Sequence, residues 1–230
     1  MPDNEQRSPR NQKVKLKKAR GRKVSSQRWL QRQLNDPYVQ DAKKMGYRSR
    51  AAFKLIELDE KFHFLKPQMR VIDLGAAPGG WTQVVEKHID TSLPNTQIIG
   101  VDLLEMDAIS NTTLHVGDFT DPQTIDHIKS LLTGPVDLVL SDMAPSAMGH
   151  KQTDHVRIIA LVEEAFYFAQ EVLAEGGIFL AKVLQGGTES SLLSTLKKSF
   201  KTVKHVKPSA SRKDSSEMYV IAMDFKSTKL

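Results

Sequence analysis

Residues 71–81 read Val71-Ile72-Asp73-Leu74-Gly75-Ala76-Ala77-Pro78-Gly79-Gly80-Trp81. The first four form a short apolar run interrupted by one carboxylate, the pattern of a buried strand. Gly75 to Gly80 are almost all small, so the chain can turn tightly and its backbone can come close to a ligand. Trp81 then opens an amphipathic helix, with apolar residues at 81, 84, 85 and 89. A strand feeding a small-residue loop and then a helix is how an open α/β sheet builds its ligand crevice, outside the carboxyl ends of its strands.

Two details bear on the ligand. Dinucleotide folds carry G-x-G-x-x-G at this turn, and here the middle glycine is Ala77. Asp73 stands two residues before the loop, and Asp-x-Gly at the end of a first strand is the pattern of S-adenosylmethionine (SAM) methyltransferases. SAM is cationic and has no pyrophosphate, so carboxylates near the loop suit it better than phosphate-binding amides. The loop alone would serve equally well as an ordinary structural turn; acidic residues further along weigh against that.

Outward from this stretch the strand–helix alternation is regular. Strands are expected at 97–102, 113–116, 136–142 and 176–184, and helices at 80–90, 122–132, 156–174 and 188–199. Gly176-Gly177 is the expected end of the long helix, and 201–207 with 217–224 read as a terminal pair of strands. Upstream, Ser25 and Ser26 are candidate caps for a first helix. Asp36-Pro37 marks a break before a helix over 38–45, and Ser49 is a candidate cap for a third helix over 50–62. The expectation is one domain over 25–230, preceded by a basic arm over 1–24.

Composition narrows the function. A chain of 230 residues with 40% hydrophobic content supports one large α/β domain. No stretch approaches 18 apolar residues, so no membrane association is expected. The basic N-terminus carries Asp3 and Glu5 and no apolar run, unlike a secretory signal, and the expected compartment is the cytoplasm. There is no cysteine, which removes thiolate metal ligands and any cysteine nucleophile for attack on a pyrimidine ring. Residues 1–54 hold 16 Lys or Arg against 4 Asp or Glu, a net +12 in a chain of net +6, so the remainder is acidic. A basic arm on a mildly acidic domain fits a nucleic-acid partner, although a solvated tail has the same composition.

Three acids close predicted strands: Asp102 after Gln97, Asp118 after the third strand, and Asp142 after Val136. Any one of them is unremarkable as a turn or cap residue. Together with Asp73 they would face one crevice, with Asp102 placed for ribose hydroxyls. Asp142 begins Asp142-Met143-Ala144-Pro145, which lacks the base-stacking aromatic of many amino-methylating enzymes. Without cysteine or that aromatic, a hydroxyl acceptor gains ground. Lys182 lies inside the apolar run Ile178 to Leu184, and lysine is almost never buried without a partner. A buried lysine favours its neutral form and can act as a base. Glu217 opens the apolar run Met218 to Met223 and reads equally well as an edge charge. Lys54 sits among Phe53, Leu55 and Ile56; by spacing alone it reads as a solvated residue on the outer helix face.

Tyr47 to Leu55 (Tyr-Arg-Ser-Arg-Ala-Ala-Phe-Lys-Leu), Asp73 to Trp81, Ser141 to Pro145 and Ala181-Lys182-Val183 together resemble the FtsJ/RrmJ family of SAM-dependent RNA ribose 2′-O-methyltransferases, over residues 25–225. The resemblance implies a Rossmann-like α/β fold: a seven-stranded, mostly parallel sheet with an antiparallel last strand and helices on both faces. It implies a catalytic Lys54–Asp142–Lys182–Glu217 tetrad, and SAM contacts at Gly79, Trp81, Asp102, Asp118 and Asp142. For Lys54 it reverses the reading from spacing. It also implies methylation of a uridine ribose in large-subunit ribosomal RNA, on the assembled large ribosomal subunit. The transfer itself needs no metal, and a monomer is the expected state. The first 24 residues are longer and more basic than the usual arm and inherit no role from the resemblance.

In this scheme Lys182 takes the proton of the 2′-hydroxyl, helped by burial and by the positive charge of Lys54. Asp142 orients Lys182 and touches the methionine end of SAM, while Lys54 and Glu217 position the ribose. Which lysine is neutral is not legible in the sequence. RNA contacts are expected from the arm and from Lys197, Lys198, Lys201, Lys204, Lys207, Arg212 and Lys213, since 190–213 contains no acid. The rival readings are a nicotinamide-dependent oxidoreductase, disfavoured by Ala77 and Asp73, and a non-catalytic RNA-binding or ribosome assembly factor on a SAM-binding fold.

Overall fold

The computed structural model describes residues 21, 23–145, 151–185 and 190–226. Three helices come first: α1 (Val24–Leu34), α2 (Pro37–Met45) and α3 (Ala51–Phe62). The alternating part follows as β1 (Arg70–Leu74), α4 (Gly80–His88), β2 (Gln97–Asp102), β3 (Thr113–Val116), α5 (Pro122–Leu131) and β4 (Val136–Ser141). It continues through α6 (Lys151–Val172), β5 (Leu173–Leu184), α7 (Ser190–Ser199), β6 (Phe200–Val206) and β7 (Glu217–Phe225).

The strands form one seven-stranded sheet in the order β3-β2-β1-β4-β5-β7-β6. β1 to β5 pair in parallel, whereas β7 is antiparallel to both β5 and β6. The expected seven-stranded α/β architecture, parallel with an antiparallel last strand, is what forms. β1 has β2 on one side and β4 on the other, so the strand order reverses there, and the crevice of an open sheet lies at such a switch.

Successive side chains alternate between faces, and each face has its own core. Ile72, Leu74, Val139, Phe179, Ala181 and Val220 join α6 and α7 residues such as Phe166 and Leu196. Val71, Leu138, Leu140, Leu180, Tyr219 and Ile221 join Leu55 and Leu58 of α3 and Trp81 and Val84 of α4. Helices therefore cover both faces, which is why β4 and β5 read as nearly continuous apolar runs. Fully burying one such side chain, Leu138 or Phe179 for instance, contributes roughly 1.5–3 kcal/mol.

Several local expectations are corrected. Ser25 and Ser26 lie inside α1, whose N-cap Lys23 makes no side-chain cap bond. Ser49 does not cap α3; its buried hydroxyl has no partner, and a Cβ at Gly80 would lie 2.2 Å from it. Close packing of α3 on the start of α4 has replaced capping. Asp36 does cap α2, accepting from Tyr38 N at 3.1 Å. The long helix ends at Val172 rather than at the glycine pair, because Leu173 already pairs with Val136; Gly176, at φ 79°, bulges out before Ile178 pairs with Leu138. The expected arm over 1–24 lies almost wholly outside the described residues, as do positions 188–189 of the last predicted helix. No described helix is long and apolar enough to cross a membrane.

Candidate active site

Asp118 follows β3, Asp102 ends β2 and Asp142 follows β4, so the strand order sets the three along one end of the sheet on either side of β1. Asp73, expected beside them, is instead fully buried on β1 beneath the loop, where Thr82 of α4 donates to its Oδ2 at 2.6 Å. Its Oδ1 has no partner. Burial, reinforced by Asp142 and Asp102, pushes this carboxyl up to about 7 against the opposing Thr82 bond.

Lys54, Asp142, Lys182 and Glu217 come together from α3, the end of β4, β5 and the start of β7. Lys182 Nζ lies 3.0 Å from Asp142 Oδ1 and also donates to the main-chain oxygen of Asp142. Lys54 Nζ lies 2.7 Å from Glu217 Oε1 and 2.9 Å from Oε2. Lys54 is 7% exposed and Lys182 9%, so Lys54 is buried and paired rather than solvated as its spacing suggested. The four charges balance as two ion pairs, which is how a buried lysine is tolerated.

Tyr219, which the sequence analysis did not single out, joins the two pairs. Its hydroxyl donates to Asp142 Oδ1 at 2.9 Å, has Glu217 Oε1 at 3.2 Å, and accepts from Lys54 Nζ at 3.2 Å. It is fully buried, with its ring packed on Trp81 at 5.5 Å between centroids. In sequence it is one more aromatic in an apolar strand; only the period-2 spacing from Glu217 hinted that both share a face. Burial, then the charges of Asp142 and Glu217, push its phenol well above its usual value. Burial alone would raise the Asp142 carboxyl too, but Lys182, then Lys54, and the bonds from Lys182 and Tyr219 outweigh it and hold the group below its ordinary value. Asp142 is thus a fixed anion facing a lysine.

The loop after β1 is held by close contacts. Gly75, at φ 77°, lies so near Met143 that a Cβ would sit 2.9 Å from Met143 Cα, so the loop touches the segment carrying Asp142. Gly79 has φ 107°, and a Cβ there would meet Arg48 Nη1 at 2.9 Å. Arg48 itself donates to Pro78 O, Asp107 O and Ala108 O, at 3.3, 2.8 and 2.7 Å, clasping the glycine loop to the segment after β2. This residue was missed as a site component; its place in the Tyr47–Leu55 motif was the available signal. Asp102 accepts from Ala77 N and Leu104 N, each at 2.9 Å through a different oxygen, which leaves each oxygen a lone pair for a hydroxyl. Small-residue backbone flanked by Asp102 and Asp142 fits a cationic, ribose-bearing ligand.

Two expected site residues are placed less directly. Trp81 is 3% exposed and spends its indole N–H on Ala51 O at 2.8 Å, so its side chain supports Tyr219 and only its main chain can face the crevice. Asp118 is exposed, and its Oδ1 accepts from Thr120 N and Oγ1 at 2.9 and 2.7 Å; the side-chain bond chiefly, then the backbone bond, lowers its carboxyl.

The basic side chains between 197 and 213 do not share one face. Lys201 and Lys204 are three residues apart on β6 and so point to opposite sides of the sheet. Lys204 lies over the Phe62 ring, Lys207 donates to Ser215 O at 2.6 Å, and Arg212 reaches Asp36 Oδ2 at 3.4 Å. Lys197, Lys198 and Lys213 are exposed.

The sequence profile of the FtsJ-like methyltransferases matches residues 47–225, from the start of the Arg48 motif to the end of β7. The chain belongs to this family. It is 57% identical over 219 residues to the ribosomal RNA large subunit methyltransferase E of Paramagnetospirillum magneticum, covering 94% of this chain and 90% of that one. The protein of the same name from Novosphingobium aromaticivorans is 58% identical, with 96% and 97% covered. A crystal structure described as a ribosomal RNA methyltransferase from Plasmodium falciparum superimposes with a TM-score of 0.68 at 32% identity, over 78% of this chain and 98% of that one. All the residues of the Lys54–Asp142–Lys182–Glu217 cluster, with Tyr219 and Arg48, fall within the matched span, whereas α1 and α2 precede it.

Proposed function

We propose that this chain transfers a methyl group from SAM to a ribose 2′-hydroxyl of a uridine in large-subunit ribosomal RNA, acting on the assembled large subunit. The observation that carries this reading is the convergence of Lys54, Asp142, Lys182, Glu217 and Tyr219 at the carboxyl end of the sheet, beside the loop that follows β1. Support for the substrate comes from the ribosomal RNA methyltransferases that the chain resembles over almost its whole length.

SAM, when bound, supplies a methyl already activated by its sulfonium, so the protein's task is alignment and proton removal. Gly79 and the main chain at Trp81 would border it, with Asp102 on its ribose, Asp118 near its base and Asp142 near its methionine end. Lys182 Nζ takes the proton of the attacking hydroxyl. Asp142 fixes the direction of Lys182, and Lys54 with Glu217 holds the ribose. Packing of Trp81 and Tyr219 keeps water from behind the pair. The reading requires no metal and has the chain act as a monomer in the cytoplasm.

The test is mass mapping of 2′-O-methyl sites on large-subunit RNA after incubating undermethylated subunits with the protein and SAM. One new methylated uridine ribose is expected on subunits and none on free RNA. Methylation confined to a base would overturn the assignment of the acceptor.

A further inference from the structure

One face of α3 is turned toward the segment between β6 and β7. Arg50, Lys54 and Glu57 follow one another at i, i+4 and i+7, so they share that face. The outer two hold a single residue of the segment: Arg50 Nη2 donates to Ala210 O at 2.6 Å, and Ala210 N donates to Glu57 Oε2 at 2.9 Å. Asp36 adds a second clasp, 2.9 Å from Arg50 Nε and 3.4 Å from Arg212 Nη2. Ser211, between the two clasped residues, is 4% exposed, and its hydroxyl donates to Glu217 Oε1 at 2.8 Å.

Proton arithmetic gives that bond its consequence. Tyr219 has one hydroxyl proton and two carboxylate oxygens in reach, Asp142 Oδ1 at 2.9 Å and Glu217 Oε1 at 3.2 Å. Glu217 Oε1 accepts from Ser211 at 2.8 Å and has the Lys54 ammonium 2.7 Å away, while the Lys54 hydrogen bond goes to Oε2 at 2.9 Å. Ser211 therefore competes with Tyr219 for Oε1, which favours delivery of the Tyr219 proton to Asp142, the shorter of its two contacts. We propose that Ser211 is a positioning residue of the methyl-transfer site: by occupying Glu217 Oε1 it biases Tyr219 toward Asp142 and so sets how tightly Asp142 holds Lys182. This rests on the reading of Lys182 as the proton acceptor. The charged and titratable groups that meet here are Lys54 from α3, Asp142 from the end of β4, Lys182 from β5, and Glu217 and Tyr219 from β7, with Asp73 of β1 within electrostatic reach of Asp142; α4 contributes the uncharged Trp81.

Without the Ser211 hydroxyl, Tyr219 is drawn toward Glu217, and Asp142 loses a donor. Asp142 then holds the Lys182 side chain more tightly and leaves it less available as a proton acceptor. The test is single-turnover methyl transfer by the full chain to undermethylated large subunits at saturating SAM, from neutral to alkaline pH. Wild type, Ser211→Ala, Ser211→Thr and Lys182→Ala are compared, with thermal melts alongside. Ser211→Ala should move the acid limb of the rate profile up by about one unit, which is about tenfold in rate below the limb. Ser211→Thr, which keeps the hydroxyl, should leave the limb in place. The limb's position does not depend on the fraction of folded protein, so a partly destabilised variant still reports. An unmoved limb in Ser211→Ala, an equal shift in Ser211→Thr, or a rate lowered evenly at every pH overturns the role of Ser211, provided that Lys182→Ala is inactive. An active Lys182→Ala overturns the reading of the site itself and this proposal with it.

Discussion

Lys182 and Tyr219 are Cα partners across the antiparallel β5–β7 pair, and their polar ends meet the same atom, Asp142 Oδ1, at 3.0 and 2.9 Å. Directly opposed residues share a face, here the one covered by α3 and α4. Tyr219→Phe keeps the ring on Trp81 and removes the bond to Asp142. The expected outcome is a fall in single-turnover rate of about tenfold and a stability loss of roughly 1–3 kcal/mol in urea unfolding, the cost of a buried acceptor left short of a donor. A wild-type rate with the stability loss would make Tyr219 a packing residue.

Lys182→Ala is expected to abolish methyl transfer by roughly 10²–10⁴-fold, the usual contribution of a general base. SAM affinity should hold. Stability should fall by no more than a few kcal/mol, because Asp142 keeps Tyr219 as a partner. Activity within a small factor of wild type would move the proton acceptor to Lys54.

Calorimetric SAM titration separates two kinds of contact. Asp102→Ala should weaken binding by roughly tenfold or more, through loss of a charged acceptor. Arg48→Ala should also weaken it, although the side chain need touch no ligand, because the clasp on Pro78, Asp107 and Ala108 is lost. Unchanged affinity in a folded Asp102→Ala protein would remove that residue from the site.

Asp73 makes stability depend on pH. Its folded value of about 7 lies above the ordinary 3.8, so between those values the native state keeps a proton that the unfolded chain releases. The favourable contribution is complete below the unfolded value and is lost as pH rises toward about 7, by roughly 4 kcal/mol at most. Asp73→Asn lacks that slope. Urea unfolding at acid and neutral pH should therefore show the variant gaining on the wild type as pH rises; parallel curves would count against a protonated Asp73.

Residues 1–24 carry much of the net +12 of residues 1–54. Deleting them should lower affinity for large subunits and flatten its salt dependence by about one unit per lost phosphate contact. An intact slope would make the segment a passive tail.

The sequence fell short where a residue's identity is common and only its surroundings are special. By spacing alone Lys54 looks like any lysine on a helix; only the family motif singled it out, and Glu217 is what lies beneath it. Ser211 is one of several serines in a loop, and Arg212 one of several basic residues; the structure spends the first on Glu217 and the second on Asp36. For the same reason, the absence of acid over 190–213 carries no information about which face each lysine takes.

The sequence by itself determined the order of strands and helices, the small-residue loop over 75–80 and the acids closing β2 and β4, because these depend on local periodicity and on residues few other positions tolerate. Tertiary structure alone decided that β7 enters between β5 and β6, which brings Glu217 and Tyr219 beside Lys182. It also decided that Asp73 stays beneath the loop while Asp142 becomes the shared acceptor. Strand pairing is set by long-range burial on both faces of the sheet, and the fate of a buried charge is set by which partner that pairing delivers.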